Sequence, residues 1–222
     1  MTEPIGLENK LYFWDTKDGN SYFKILDMTD PNWPSVSDIQ GSERMQHVSH
    51  VARYGNKLIY IGSPNSFESP QFVECYNTET GTWKPKPLGQ LPEKRTGFAL
   101  VVVKADIYIL GGSSDVHNGS QPLKSCLRLN NRTSQWEPIS DMLCNRTDHC
   151  AFVSESRIHV YGGRVNGTDE LSQTMEVYDI KQNSWSRFHL TDLEDIDKDP
   201  SLNVSYAVRV SLNSVSNVLT RD

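Results

Sequence analysis

Short apolar runs separated by polar turn residues recur along this chain. Residues 97–103 and 107–110 are two such runs with a polar turn between them, and two more follow over 123–129 and around Trp136. Short runs rich in β-branched and aromatic residues, bounded by Gly, Asn or Asp, predict strands joined by hairpins. A convincing helical period over ten residues does not occur. The pattern therefore predicts an all-β protein.

The strands belong to a repeated unit of about 50 residues. Four tryptophans lie 50, 53 and 49 residues apart: Trp33, Trp83, Trp136 and Trp185. Three arginines lie 51 residues apart: Arg44, Arg95 and Arg146. Self-similarity at such a period is typical of solenoids, propellers and repeat arrays, and four short strands per unit favour a propeller.

Two further markers share this spacing, and both have a physical role. A glycine follows each arginine by 16 to 18 residues: Gly62, Gly111 and Gly162. Glycine at a strand end lets two backbones approach closely. An Asp or Asn precedes each tryptophan by six residues: Asp27, Asn77, Asn130 and Asp179. These short side chains favour a turn, while the tryptophans fill the space between neighbouring sheets.

The segment 74–83, Glu-Cys-Tyr-Asn-Thr-Glu-Thr-Gly-Thr-Trp, resembles the kelch repeat of kelch-like (BTB-kelch) adaptor proteins. The resemblance covers about residues 7–190 and implies a kelch-type β-propeller of four-stranded antiparallel blades. The second unit departs from it with Gly62-Ser63 in place of a double glycine, and the third with Leu129-Asn130 in place of Tyr-Asp. The resemblance is specific for the fold and says little about the partner.

The repeat predicts one domain over 1–222 with about four blades, fewer than the six usual in kelch-like adaptors. We expect a partial or divergent ring. The predicted blades cover these residues: 7–40, 41–90, 91–142 and 143–192. The segment 200–222 has two interpretations: a strand that closes the ring against the first unit, or an interrupted further blade.

Composition and charge narrow the class of partner. The net charge is −6 and the isoelectric point about 5.5, so neither nucleic acid nor an anionic membrane is expected as a ligand. The chain has no run of 18 apolar residues, and its first residues lack the features of a signal peptide. We therefore expect a cytoplasmic protein with reduced cysteines. Five Asn-x-Ser/Thr sequons leave a secreted alternative open.

The loops between the second and third strands of each unit are the first candidate binding surface. They cover about 63–70, 113–121 and 164–172, and they differ from one another while the strands repeat. Varied loops on a fixed scaffold are typical of recognition surfaces, and we call this side of the molecule the loop face. Its candidate partner-binding residues are these: Glu68, Asp115, His117, Asn118, Arg164, Asn166, Asp169 and Glu170.

The repeated arginines Arg44, Arg95 and Arg146 are the second candidate set. The resemblance implies that this position faces a substrate pocket, where a guanidinium group can bind carboxylates through two hydrogen bonds. An acidic peptide would then be the ligand. The alternative is a structural role, in which each arginine pairs with a nearby acid and holds the start of a blade.

No catalytic residues, metal ligands or cofactor are expected. His47 and His149 occupy one repeat position that Phe98 fills in the third unit, which favours packing over metal binding. Nucleophile, phosphate-loop and paired-carboxylate motifs are missing. The resemblance implies a non-enzymatic interaction module that binds a protein or short peptide on its loop face and recognises substrates for a cullin-based ubiquitin ligase. Contact with the ligase itself would be made by a region absent from this chain. The alternatives are an actin- or cytoskeleton-binding kelch protein, and a secreted kelch glycoprotein domain or propeller enzyme.

Overall fold

The computed structural model describes ten segments of the chain: 5–7, 10–17, 20–27, 35–40, 47–63, 70–84, 88–114, 122–165, 172 and 174–189. Every regular element in these segments is a β-strand, and all sheet pairs are antiparallel. The same segments contain no helix that is long and apolar enough to cross a membrane. The predicted all-β fold of four-stranded antiparallel sheets is confirmed.

Sheet 1 contains four strands in sequence order: β1 (Ile5–Leu7), β2 (Lys10–Lys17), β3 (Asn20–Asp27) and β4 (Ser35–Gln40). The first strand is only three residues long, and it pairs with β2 through Ile5 opposite Tyr12. The first unit therefore has an inner strand of its own.

Sheet 2 has a similar core with one additional short strand. Its strands are β5 (His47–Tyr54), β6 (Lys57–Ser63), β7 (Phe72–Asn77), β8 (Thr82–Trp83) and β9 (Gly89–Gln90). Both β8 and β9 pair with β7, so the outer edge is formed by two pieces. The register between β5 and β6 shifts between Val48 and His50, which marks an irregularity in the inner hairpin.

Sheets 3 and 4 are regular four-stranded meanders. Sheet 3 contains β10 (Ala99–Val103), β11 (Asp106–Leu110), β12 (Cys126–Asn130) and β13 (Gln135–Ile139). Sheet 4 contains β15 (Cys150–Ser154), β16 (Arg157–Tyr161), β18 (Thr174–Asp179) and β19 (Ser184–His189). A small two-stranded ribbon of β14 (Arg146–Thr147) and β17 (Arg164–Val165) lies beside sheet 4. The limits of the blades stay a prediction.

Consecutive sheets pack face to face through apolar side chains. Between sheets 2 and 3, Ile61 and Val73 pack in one cluster with Phe98, Ile107 and Ile109. A second cluster joins sheets 3 and 4 and includes these residues: Val101, Tyr108, Leu110, Cys126, Met142, Ile158, Val160 and Tyr178. Burial of these side chains is the main source of free energy that holds each pair of sheets together. It contributes roughly 25 cal/mol per Å² of apolar surface removed from water.

The repeated tryptophans and turn residues occupy equivalent places. Trp83 lies opposite Tyr76 and Trp185 lies opposite Tyr178, each across the pair of outer strands. The Oδ1 atom of Asn77 accepts a hydrogen bond from the backbone N of Glu79 at 2.9 Å. Asn130 and Asp179 make the same contact two residues ahead, at 3.0 and 2.9 Å. The predicted turn role of the Asp or Asn position is confirmed.

Candidate functional site

The guanidinium group of Arg146 is fully buried at the start of sheet 4. Its Nη1 donates to the backbone O of Gly162 at 2.8 Å, and its Nη2 donates to Thr174 Oγ1 at 2.6 Å. Both Nε and Nη2 donate to Oε1 of Glu176, at 3.1 and 3.0 Å. Arg146 and Glu176 are each 0% exposed. The charge of this arginine is thus neutralised inside the protein, by an acid from the third strand of its own sheet.

Glu176 also holds the loop that leads from sheet 3 into sheet 4. Its Oε2 accepts a hydrogen bond from the backbone N of Leu143 at 2.6 Å, and its Oε1 accepts one from Cys144 N at 3.2 Å. A buried carboxylate needs such donors to replace its water. One side chain therefore fixes both the arginine and the loop in front of it.

Arg95 occupies the equivalent position in sheet 3 and is 2% exposed. Its Nη1 donates to the backbone O of Gly111 and of Ser125, at 3.2 and 2.7 Å, and its Nη2 donates to Ser125 Oγ at 2.8 Å. Its acidic partner is Glu93, whose Oε2 accepts from Nη2 at 3.2 Å and whose side chain is 50% exposed. Both arginines thus bind the carbonyl group of the repeated glycine, but their acidic partners come from different places.

The acids on the third strand were not predicted from the sequence, although a signal exists. Glu176 follows Arg146 by 30 residues, and Glu74, which is 0% exposed, follows Arg44 by the same interval. In sheet 3 the residue at this interval is Ser125, whose Oγ accepts a hydrogen bond from Arg95, and the strand position of Glu176 is taken by Leu127. An acid at a fixed distance from an arginine in two of three units would have suggested the pairing.

Backbone hydrogen bonds join the bases of the loops to the neighbouring sheet. Gly112 N donates to Arg146 O at 2.8 Å, and Asp148 N donates to Gly97 O at 2.7 Å. Thr96 and Ser113 exchange two backbone hydrogen bonds at 3.0 and 2.8 Å. The segments between sheets and the bases of the variable loops therefore lie at the same end of the sheets. At this end, which carries the loop face, the structure describes the bases of the loops.

The other predicted site residues are placed only in part. Arg164 is exposed and lies in β17, opposite Thr147. The remaining predicted residues lie outside the described segments: Arg44, Glu68, Asp115, His117, Asn118, Asn166, Asp169 and Glu170. Their assignment to a partner-binding site stays a prediction.

Two histidines, the partly buried His50 and the buried His149, lie between the inner strands. His50 of sheet 2 stacks on Phe98 of sheet 3, with ring centroids 3.6 Å apart. Burial lowers the pKa of His50 to about 4. Burial, together with the positive charge of Arg146, lowers the pKa of His149 to about 3. Both imidazoles are therefore neutral at physiological pH, as expected for packing residues. Among the described residues, no group of three His, Cys, Asp or Glu side chains is arranged to hold a metal ion.

Several curated proteins similar to this chain carry kelch in their names. An F-box/kelch-repeat protein of Arabidopsis thaliana is 33% identical over 134 residues, covering 56% of this chain and 45% of that protein. Kelch-like protein 40 of Xenopus laevis is 27% identical over 172 residues, covering 76% and 26%. Kelch domain-containing protein 10 of the same frog is 31% identical over 133 residues, covering 56% and 31%. The chain spans between 26% and 45% of the length of these relatives.

The family assignment agrees with the geometry. A model described as the KLHDC2/KLHL20/DRC7 Kelch-repeats domain matches residues 48–201, which is more than half of the chain. This range contains sheets 3 and 4 completely and nearly all of sheet 2, with their repeated glycine, Asp or Asn, and tryptophan positions. The chain belongs to the KLHDC2/KLHL20/DRC7 Kelch-repeats domain family.

Proposed function

We propose that this chain recognises a protein or short peptide on its loop face, as the substrate-recognition part of a cullin-based ubiquitin ligase. Kelch repeats are protein-interaction modules. The observation that supports a site on this face is the set of backbone hydrogen bonds that fixes the loop bases, such as Gly112 N to Arg146 O at 2.8 Å. Loops of varied sequence on a rigid base present side chains to a partner at little cost in conformational entropy.

In this proposal the loop residues contact the partner and the buried arginines support them. Arg95 and Arg146 have little or no exposed surface, and internal acceptors bind both Nη atoms of Arg95 and the Nε and both Nη atoms of Arg146. A ligand carboxylate could reach them only by displacing buried hydrogen bonds, which is costly. Contact is therefore assigned to Arg164 and to the loop residues outside the described segments. Those residues are the following: Glu68, Asp115, His117, Asn118, Asn166, Asp169 and Glu170.

The ligase step is supported by the relatives and not by a site on this chain. The name of the Arabidopsis relative pairs kelch repeats with an F-box, and other relatives are kelch-like proteins. We propose that the chain makes no covalent bond itself, acts in the cytoplasm, and holds a bound protein for ubiquitin transfer by other subunits.

The test compares two loop variants of the full chain in cells. The first replaces residues 166–170 with Gly and Ser, and the matched control replaces the turn 131–134 at the opposite end of the sheets. We expect that partners, once identified and purified, bind the 166–170 variant more weakly than the wild-type chain and bind the 131–134 control as tightly as the wild-type chain. A partner that binds both variants equally would contradict a loop-face site.

The ligase role needs a separate readout. Depletion of this protein should lengthen the half-life of a loop-face partner, and re-expression of the 166–170 variant should not restore it. If depletion changes neither the ubiquitination nor the half-life of the partner, the ligase role is contradicted, while protein binding by the loop face is not. A glycan on Asn131, which is exposed in a turn and starts a sequon, would favour the secreted alternative.

A further inference from the structure

One face of sheet 4 has no partner sheet among the described segments. This face points away from sheet 3 and carries a small apolar cluster of Met175, Val177, Tyr161 and Phe188, all from sheet 4 itself, in which Met175 and Val177 are only 1% and 6% exposed although no described sheet covers them. A cavity of about 240 Å³ opens on it. Its described lining comes entirely from sheet 4 and includes Met175, Val177 and Phe188.

The equivalent faces of sheets 2 and 3 are covered by the sheet that follows in sequence. Cys126 of sheet 3 occupies the strand position that Met175 occupies in sheet 4, and it packs with Ile158 and Val160 of sheet 4. Val73 has the same position in sheet 2 and packs with Ile109 of sheet 3. If sheet 4 follows the same order, its face is covered by a segment that comes after His189 in the sequence.

The repeated glycines show whether a described segment lies against the end of the second strand of a sheet. A Cβ atom on Gly111 would lie 2.6 Å from Met142 Cε and 2.7 Å from Arg146 O, both in the segment that leads into sheet 4. A Cβ atom on Gly162, the equivalent residue of sheet 4, would meet no atom of the described segments within 4 Å. No described segment therefore lies in front of Gly162, at the position where sheet 3 receives its neighbour.

The sequence after sheet 4 contains a matching strand pattern. Tyr206, Val208 and Val210 are apolar and alternate with Ala207 and Arg209. Alternation of this kind is typical of a strand with one buried face. In the sequence, the acidic residues 192–199 follow sheet 4 as residues 140–149 follow sheet 3.

We propose that residues 206–210 form a strand that packs on this face of sheet 4, with Tyr206, Val208 and Val210 directed at the Met175–Val177 cluster. The segment then starts a further unit of the repeat and does not supply the inner strand of the first unit. The inner position of sheet 1 is already taken by β1, which pairs with β2.

The test uses the full chain with two neighbouring substitutions of equal charge. Val208→Asp places a carboxylate on the predicted buried side of the strand, and Ala207→Asp places one on the opposite side. Both are combined with Val177→Cys, and alkylation of residue 177 is followed by peptide mass spectrometry, which separates it from the native cysteines. We expect Val208→Asp to accelerate alkylation about tenfold and Ala207→Asp to leave it unchanged.

A second measurement avoids the added cysteine. Hydrogen exchange of the β18 amides should accelerate in Val208→Asp and stay at the wild-type rate in Ala207→Asp. Equal rates in the two variants, by both methods, would overturn the proposal. Protection of residue 177 that falls on dilution, together with a dimer in light scattering, would also overturn it, because a second copy would then cover the face.

Discussion

The Nη2 atom of Arg146 lies 3.0 Å from Oε1 of Glu176, and neither side chain has exposed surface. Transfer of two charges from water into a protein interior is costly, and the cost is offset only when the remaining donors and acceptors are also bonded. Here they are, because Gly162, Thr174, Leu143 and Cys144 supply the other partners. Loss of one charge would leave the other buried without compensation.

Glu176→Leu is therefore expected to lower the free energy of unfolding by about 3–5 kcal/mol. Urea unfolding of the full chain measures this. The matched control is Glu93→Gln, which removes the half-exposed acid beside Arg95 and should cost about 1 kcal/mol or less. Similar losses of unfolding free energy for the two variants would mean that burial does not determine how much each ion pair contributes to stability.

The repeat register could be predicted from sequence because each marker answers a local requirement. The Asp or Asn position caps its own turn two residues ahead, as with Asn77 and Glu79, and needs no distant partner. The tryptophan position follows from the hairpin between the outer strands, which places Trp185 opposite Tyr178. Such contacts stay within one hairpin and leave a regular trace in the sequence.

The orientation of the arginines could not be predicted in the same way. The interval of 51 residues identifies the position, but whether a guanidinium group faces a ligand or the interior depends on acceptors far along the chain. Thr174 and Glu176 lie 28 and 30 residues after Arg146. In sheet 3 the partner is Glu93, only two residues away, so a single pairing rule does not cover both units.

The buried histidines predict a dependence of stability on pH. The pKa values of His50 and His149 in the folded protein, about 4 and about 3, lie below the ordinary value of 6.5. Below about pH 6.5 the unfolded chain therefore binds more protons than the folded one. The free energy of unfolding should fall from pH 6.5 toward pH 4 by roughly 1.4 kcal/mol per pH unit for each histidine.

A single variant isolates this effect from the titration of carboxylates. Phe98 fills in sheet 3 the repeat position that His149 fills in sheet 4, so His149→Phe introduces a side chain that the fold already accepts. The slope of unfolding free energy against pH between 4.5 and 6.5 should fall by roughly 1 kcal/mol per pH unit, which is the contribution of one histidine. An unchanged slope would show that His149 is protonated in the folded protein over this range.

The hairpin of β10 and β11 has a turn that its sequence does not favour. Val103 pairs with Asp106, and the two residues between them, Lys104 and Ala105, have φ angles of 50° and 75°. A two-residue turn with both angles positive prefers glycine at its second position. Ala105→Gly should raise the free energy of unfolding by about 1 kcal/mol, measured by urea unfolding. The control Ala151→Gly, within β15, should lower it by about the same amount.

Gly111 and Gly162 allow the packing between sheets to be separated from backbone strain. Both have positive φ angles, 57° and 71°, so alanine should cost about 1 kcal/mol at either position. Of the two, only at Gly111 would the added Cβ also meet a backbone atom of the described segments, Arg146 O at 2.7 Å. We therefore expect Gly111→Ala to lower the free energy of unfolding by about 2–4 kcal/mol and Gly162→Ala by about 1 kcal/mol. Equal losses in urea unfolding would mean that sheets 3 and 4 can separate slightly at this point without cost.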